Sequence, residues 1–502
     1  MKLPVISRCR HSRSGNPERG ITMILVAISL VAIIAMAALS IDVVTLYLAR
    51  EEAQRSADAA ALAAARVLSV SGITGDTIPT TDTVSWAAIC GATGTATQTA
   101  QAVGIQNGIG NISPSTVAVT YAAGGASSGD CSTLPAAFSV NPMVTVQVTR
   151  PSLPTFFSRI WGNTGNNVSA TATAEAFNPS DSGNVGNGST GTITPVLPRC
   201  VKPWVVPNHD PFNPGANGNG TLCDQQDRFT HLTTPCHPLV DRTTGAIIHQ
   251  GISTGGAGSS GTIGETFWLV LDCQHNPGTC QLRGSSVQPR ANYVSGASSV
   301  KPAPSLLYVP GQVTTPVVAV PSCTTGDPFE EAIEGCDQSI NYQCGSPLAN
   351  AVDLTRNPGA FATPLTTNGV QCLTGQTDAT DVTNASGQDQ LSPFGAPSTY
   401  PFSILAGTST PLAGLSGKPV SISNSIVSLP IYDSSAVNVN NDATTNVTFV
   451  GFLQVFINAV DQYGNVNVTV LNVAGCSNGT GDPLGSPALG SSPVPVRLIT
   501  PP

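Results

Sequence analysis

The feature that most constrains this chain is an apolar run, Ile21–Ile41, that continues directly into a segment of strong helix formers. Its only polar side chains are Thr22, Ser29 and Ser40. At a rise of about 1.5 Å per residue, about 21 helical residues span about 31 Å, the thickness of the hydrocarbon core of a bilayer. Residues 41–68 contain no Gly or Pro and are rich in Ala. The sequence therefore predicts one long helix that crosses a membrane and then enters a soluble domain.

The charges in front of this run predict its orientation. Basic residues near a spanning helix favour the cytoplasmic side. The segment before the run contains a single acidic residue, Glu18, and five basic ones: Lys2, Arg8, Arg10, Arg13 and Arg19. We expect a single-pass protein of the inner membrane, with a cytoplasmic N-terminus and an extracytoplasmic bulk. The alternative is a cleaved signal peptide, because Ala35–Ala37 has the small residues of a cleavage site. The run exceeds the apolar core of a signal peptide, about 7–15 residues, which favours a retained anchor.

The composition favours an exported, turn-rich β protein. The chain has 502 residues, enough for two or three domains, with 50 Gly and 40 Pro, and only 10% of its residues are charged. Beyond residue 66 it has 12 Lys or Arg and 24 Asp or Glu, which gives that part a net charge of −12. Because a basic surface is what binds phosphate groups, we expect no nucleic-acid partner.

The cysteines agree with export. Of 13 cysteines, Cys9 lies on the predicted cytoplasmic side, which leaves 12 outside the membrane. An even number is what a disulfide framework requires. Cys90 and Cys131 stand alone in the first soluble domain and are predicted to pair. The pairing of the ten from Cys200 to Cys476 stays open.

Changes in composition divide the chain into six predicted segments. These are a cytoplasmic N-terminus (1–20), the spanning and Ala-rich helix (21–68), an α+β domain (69–178), a Gly/Ser/Asn linker (179–195), a Cys-rich, mainly β domain (196–475) and a Pro/Gly-rich tail (476–502).

Hydrophobic periodicity predicts the elements within the two domains. In the first domain it predicts helices over 85–106 and 154–161 and strands over 115–121, 143–150 and 168–177. In the second it predicts strands over 267–272, 306–309 and 421–431, and a hairpin in which 461–465 joins 449–460 to 466–473.

The polar positions in and after the apolar run resemble the TadG-like N-terminal module of bacterial Tad/Flp pilus-assembly proteins. The resemblance covers about residues 18–68 and includes Tyr47-Leu48 and the Ala57–Ala63 stretch; the motif residues are Gly20, Asp42, Tyr47, Arg50, Gln54 and Asp58. The segments at 144–162 and 168–176 are also similar, more loosely, to the region that comes after this module in such chains.

The resemblance implies an α+β fold: a long N-terminal helix, half in the membrane and half packed on a small pilin-like antiparallel sheet, followed here by the disulfide-rich, mainly β domain. Two departures from the family's sequence pattern limit what the resemblance implies for this chain. Type IV prepilins carry Glu five residues after the cleaved Gly, whereas Gly20 is followed there by Leu25. Some TadG-like proteins end in a von Willebrand A domain, which has a metal-binding Asp-x-Ser-x-Ser loop. The nearest segment here begins at Asp433 and has Val437 where the second Ser of that loop is needed.

Two acids of the module carry alternative interpretations. Asp42 lies where the helix leaves the hydrocarbon and is expected to reach headgroup water; the alternative is that it guides the docking of a partner helix. Asp58 either anchors the helix on the sheet through a buried hydrogen bond or lies on a solvated face.

Candidate chemistry in the second domain is weak. Gly251–Gly255 matches a Gly-x-Ser-x-Gly nucleophile elbow around Ser253, but the Gly-rich residues after it do not form the helix that the elbow needs. The Cys and His residues between Cys200 and Cys280 are spaced too widely for a zinc site. Asp461 and Asn465 favour a turn over a calcium site. We expect no enzyme activity, no cofactor and no metal.

These observations predict a non-enzymatic membrane component of a Tad/Flp-type pilus or secretion apparatus. Its expected partners are the lipid bilayer and other Tad/Flp components of the inner membrane. The alternative function is an envelope adhesin or ligand-binding protein that uses a TadG-type anchor. The ligand of residues 196–475 is not predicted.

Overall fold

The structure is a computed structural model of the chain. It describes residues 18–71, 73–74, 86–123, 125–139, 141–155, 157, 162, 165–177, 196–198, 200–211, 238–242, 245, 247–249, 253, 261–271, 281–282, 285–286, 305–313, 317–318, 320–321, 323, 326–337, 342, 348–352, 361–377, 386–393, 402–410, 414–420, 422–433, 445–476, 488–490 and 494–499.

The first element is a helix of 53 residues, α1 (Glu18–Val70). The hydroxyls of Ser29, Ser40 and Thr45 donate to carbonyls three residues earlier, so these polar groups are satisfied within the helix. Its most apolar window has a mean hydropathy of 2.9 and is only 6% buried, which makes α1 a candidate membrane span by length and composition.

The second half of α1 packs on an antiparallel sheet of five strands. The strands are β1 (Thr116–Ala123), β2 (Ala126–Ser128), β3 (Met143–Leu153), β4 (Asn166–Ala176) and β22 (Val496–Ile499), in the order β2-β1-β3-β4-β22. The buried residues of α1 here are mostly Ala, from Ala49 to Ala65. Such small side chains let the helix backbone approach the sheet closely. A second helix, α2 (Thr95–Gln106), packs against α1 and β1.

A disulfide and three aromatic rings form one part of the core of this unit. Cys90 and Cys131, the pair that the sequence favours, are disulfide-bonded. The ring of Phe138 contacts Trp86 and Tyr121 edge to face, at centroid distances of 5.7 and 5.9 Å. All five side chains are fully buried, so this cluster is part of the core.

The larger domain is built on a closed barrel of six strands. They are β6 (Trp204–Pro207), β7 (Thr266–Leu271), β10 (Ser305–Pro310), β17 (Ile426–Tyr432), β19 (Phe449–Val460) and β20 (Val466–Gly475). Their order around the barrel is β10-β6-β17-β19-β20-β7. The β6–β17 and β7–β10 pairs are parallel and the others antiparallel. The strands are buried along nearly their whole length, which explains their almost continuous apolar sequences.

Short elements and further disulfides surround the barrel. Cys200 is bonded to Cys336, and Cys323 to Cys372. The helices are α3 (Pro328–Glu334), a π-helical turn (Phe361–Thr366) and α4 (Thr367–Thr374). The strands are β5 (Val196–Pro198), β8 (Gln281–Leu282), β9 (Ser285–Ser286), β11 (Val317–Val318), β12 (Cys336–Asp337), β13 (Leu348–Val352), β14 (Gln390–Pro393), β15 (Phe402–Leu405), β16 (Pro419–Val420), β18 (Thr445–Val447) and β21 (Ala488–Gly490).

The predicted hairpin at 449–473 is confirmed, whereas two other predicted elements differ. The helix predicted over 85–106 is broken at Gly91–Gly94, where Gly94 has an extended backbone. The strand predicted over 421–431 begins only at Ile426. The predicted linker 179–195 and most of the predicted helix 154–161 lie outside the described residues.

The predicted tail contains two strands. β21 lies parallel to β5, and β22 pairs with β4 at the edge of the first sheet. The last described residues therefore return to the domain that directly follows α1.

Candidate functional site

The junction where α1 reaches the first domain is centred on Asp42. Its side chain is only 7% exposed, and its carboxylate accepts a hydrogen bond from the backbone N–H of Phe157, with Oδ2 at 3.1 Å and Oδ1 at 3.4 Å. The expectation that Asp42 reaches headgroup water is therefore wrong, because its carboxylate is buried within the protein. It ties the end of the apolar run to the connection between β3 and β4, 115 residues further along the chain.

Four of the motif residues lie on another side of the helix. At 3.6 residues per turn, Tyr47, Arg50, Gln54 and Asp58 fall within roughly 80° of the helix surface, and Asp42 lies about 140° from Tyr47. We call these four residues the motif stripe. Tyr47 is 62% exposed, Arg50 and Gln54 are exposed, and Asp58 is half-buried. Gly20 lies in the first turns of α1.

Gln54 and Asp58 act together at the edge of the stripe. The side-chain amide of Gln54 donates to Oδ1 of Asp58 at 2.8 Å and to the carbonyl of Thr171 in β4 at 3.3 Å. The polar link from helix to sheet thus passes through Gln54, and Asp58 orients it. Asp58 therefore contributes to the link with the sheet indirectly, through Gln54, and it lies neither fully buried nor on a fully solvated face.

A buried polar contact holds α1 against α2. The hydroxyl of Ser56 donates to the carbonyl of Gly104 at 3.1 Å. A Cβ at Gly104 would lie 2.9 Å from both methyl groups of Val117 in β1. Glycine at this position therefore lets α2 approach the sheet.

Asn472 joins the far end of α1 to the barrel. Its amide donates to the carbonyl of Ser69 and, at 3.0 Å, to Oε1 of Gln454; its Oδ1 accepts from the hydroxyl of Thr74 at 3.0 Å. Asn472 is fully buried. This contact was not predicted from the sequence, although a polar residue among the apolar positions of β20 was a signal for it.

The residues with candidate chemistry are held by structural contacts. The N–H of Ser253 donates to the carbonyl of Ile263, and the residues after it, 254–260, lie outside the described part. The carboxylate of Asp461 accepts from the N–H groups of Tyr463 and Asn465 and from the amide of Asn465, and so shapes the β19–β20 turn. Cys200 is oxidised in a disulfide. Among the described residues, no group of three or more His, Cys, Asp or Glu is arranged to hold a metal.

Two contacts made by the buried ionisable residues Asp210 and Lys202 of the barrel domain were not predicted. Nδ1 of His249 lies 3.3 Å from Oδ2 of Asp210, which is fully buried. The ammonium of Lys202 donates to the carbonyl of Gly335 at 2.7 Å, at the end of α3. Burial lowers the pKa of Lys202 to about 7, against the opposing effect of Glu334.

The geometry defines a class of protein: a candidate membrane-anchored chain whose long N-terminal helix packs on a small antiparallel sheet and carries a separate barrel domain. Comparison with known families makes this more specific. Residues 20–67 match the Tad family model, described as Flp pilus-assembly TadE/G-like. Residues 81–174 match a second model, described as Tad-like Flp pilus-assembly. The two matches confirm the TadG-like, Tad/Flp pilus-assembly recognition made from the motif residues.

The matched part ends near the end of β4 and does not include the barrel. No curated protein and no solved structure matches the chain.

Proposed function

We propose that this chain is a non-enzymatic, membrane-anchored component of a Tad/Flp-type pilus-assembly or secretion apparatus. In this proposal Ile21–Ile41 spans the inner membrane, the N-terminus is cytoplasmic, and the sheet and barrel lie outside. The two family matches support the apparatus. The exposed large apolar side chains of α1 support the anchor, because such a surface is stable in lipid and not in water.

The observation that carries the proposal is the exposure of the motif stripe. Tyr47 and Arg50 are family-motif residues of this stripe, yet they do not contribute to the buried core of their own domain. They lie on the first turns beyond the predicted membrane exit, beside the exposed Val44 and Leu48. Such a mixed apolar and polar helix surface suits a partner helix of another Tad/Flp component.

The helix arrangement supports a pilin-like architecture for the first domain. The apolar half of α1 is free of the sheet and the Ala-rich half packs on it. Leu25 in place of the prepilin Glu supports a component that stays in the membrane over a processed pilin.

The test is charge reversal on the helix surface in the native host. Arg50→Glu combined with Tyr47→Ala should abolish assembled pili while the protein still accumulates in the membrane fraction. Lys418→Glu is the control, because Lys418 is an exposed cation of the barrel domain that lies outside α1. Normal piliation in a strain that lacks the whole chain would contradict the proposal.

A separate test addresses the absence of catalysis. Ser253→Ala should leave piliation, and any hydrolase activity of the purified full chain towards ester substrates, unchanged. A hydrolase activity that disappears in this variant would show instead that the chain is an exported enzyme.

A further inference from the structure

The edge of β4 is occupied by the C-terminal strand of the chain. Leu498 pairs with Ala174 and Arg497 with Glu175 in the antiparallel ladder. Just before the strand, the carbonyl of Pro495 accepts from the N–H of Phe177 at 2.9 Å. The edge therefore binds an extended segment through backbone hydrogen bonds.

Side chains add selectivity to this backbone ladder. Val494 is fully buried in the core of the first domain. The guanidinium of Arg497 forms an ion pair with Glu175 and lies 4.7 Å from the centre of the Phe177 ring. An apolar socket, a carboxylate and an aromatic ring thus recognise a segment of the pattern Val-Pro-Val-Arg.

We propose that the β4 edge is a strand-acceptor site through which two copies of this chain exchange their C-terminal strands. The contacts are the same whichever copy supplies the strand, because both copies have the same sequence. Copies anchored by the same helix in one membrane also share orientation and height. Each copy's β4 edge therefore lies at the same level as its neighbour's C-terminal strand, and exchange closes a two-fold dimer.

The connection to the strand is long enough for exchange. Val494 lies 18 positions after Cys476. A fully extended segment of that length reaches about 60 Å. This reach exceeds the width of the first domain, which is about 35 Å for about 110 residues. Exchange requires that β21 leave β5, with which it forms a parallel ladder of three residue pairs. The exchange depends on the membrane anchor of the proposed function and not on its pilus role, so the exchange test and the piliation test can fail separately.

Engineered cysteines at the Leu498–Ala174 pair test the exchange. Ala174→Cys is placed in a full-length chain with one affinity tag and Leu498→Cys in a chain with another, and the two are co-expressed. We expect a disulfide-linked dimer that carries both tags, with twice the 51.1 kDa mass of one chain. The collision control combines Ala174→Cys with Ile422→Cys, an exposed residue of the barrel domain. The same yield of mixed dimer in the control, or no mixed dimer at all, overturns the proposal.

Charge complementation gives a second measurement that does not depend on cysteine chemistry. E175R alone and R497E alone each place like charges across the strand pair within one chain. When the two chains are co-expressed, one exchanged pair joins the native Glu175 to the native Arg497 and the other joins the two reversed charges. We expect several-fold more co-purification of the two tags from this mixture than from either variant co-expressed with a differently tagged copy of itself. Equal co-purification in all three cases would overturn the exchange.

Discussion

Gly104 shows at the scale of one residue how α2 is positioned against the sheet. The new methyl group of Gly104→Ala would overlap the side chain of Val117, which should cost the first domain about 1–3 kcal/mol. Better helix propensity offsets up to about 1 kcal/mol of this cost, so we expect a net destabilisation of up to about 2 kcal/mol. Thermal unfolding of the detergent-solubilised chain measures the difference.

Two controls accompany this substitution. Gly129→Ala should be nearly neutral, because its Cβ would lie 3.8 Å from the nearest atom, the Val119 carbonyl oxygen. Adding Val117→Ala to Gly104→Ala should recover part of the loss. A single Gly104→Ala variant as stable as the parent protein would show that α2 shifts freely.

Lys202 makes the stability of the barrel domain depend on pH. Its pKa is lowered to about 7 in the folded chain, by burial, and is about 10.4 when unfolded. Between these values the unfolded chain binds one more proton, so stability rises with pH by about 1.4 kcal/mol per unit. Below pH 7 the charged form is present in both states and this contribution is constant.

Lys202→Met should remove that rise. We expect unfolding midpoints, followed by tryptophan fluorescence between pH 7 and 9.5, to increase with pH in the parent protein and to be flatter in the variant. The same slope in both proteins would show that another group causes the pH dependence.

Among the elements, the disulfide between Cys90 and Cys131 has the most direct test. It closes a loop across 41 positions of sequence and lies in a fully buried cluster with Trp86 and Phe138. The double substitution Cys90→Ala/Cys131→Ala should cost about 2–4 kcal/mol of folding stability. Urea unfolding should show a lower midpoint, while the membrane fraction of the protein is unchanged. An unchanged midpoint would mean that the hydrophobic cluster alone stabilises this part of the domain.

The elements differ in how far their sequences predict them. α1, β3 and the β19–β20 hairpin are predicted by local patterns, since their periodicity and turn residues lie within one continuous stretch. β22 is not, because four residues with no strong alternation acquire a strand partner more than 300 positions away. The hydrogen bond from Phe157 to Asp42 and the parallel β6–β17 pair also join distant parts of the chain. Local patterns contain no signal for such pairs.

At the scale of the whole molecule, Asn472 connects the barrel to α1, the helix that contains the candidate membrane span. Asn472→Ala should leave both domains folded and loosen their connection. The substitution removes the donor to the Ser69 carbonyl and to Gln454, and the acceptor for Thr74. Limited proteolysis should cleave the variant between the domains faster than the parent protein.

Asn458→Ala is the matched control, since the amide of Asn458 donates to Asn467 and Thr469, both in the neighbouring barrel strand β20. Equal cleavage rates for both variants would show that apolar packing alone fixes the barrel on α1.

The continuity of α1 has a mechanical consequence. α1 is continuous over 53 residues, about 80 Å, and both Asp42 and Asn472 attach folded structure to it. In the proposed membrane-anchored arrangement, no flexible joint therefore lies between the membrane span and the folded domains. The main movements left to these domains in that arrangement are rotation about the membrane normal, lateral diffusion and tilting of the chain as a whole. Copies anchored in this way would meet in similar orientations that differ mainly by rotation about the membrane normal, so their assembly would be a search in two dimensions.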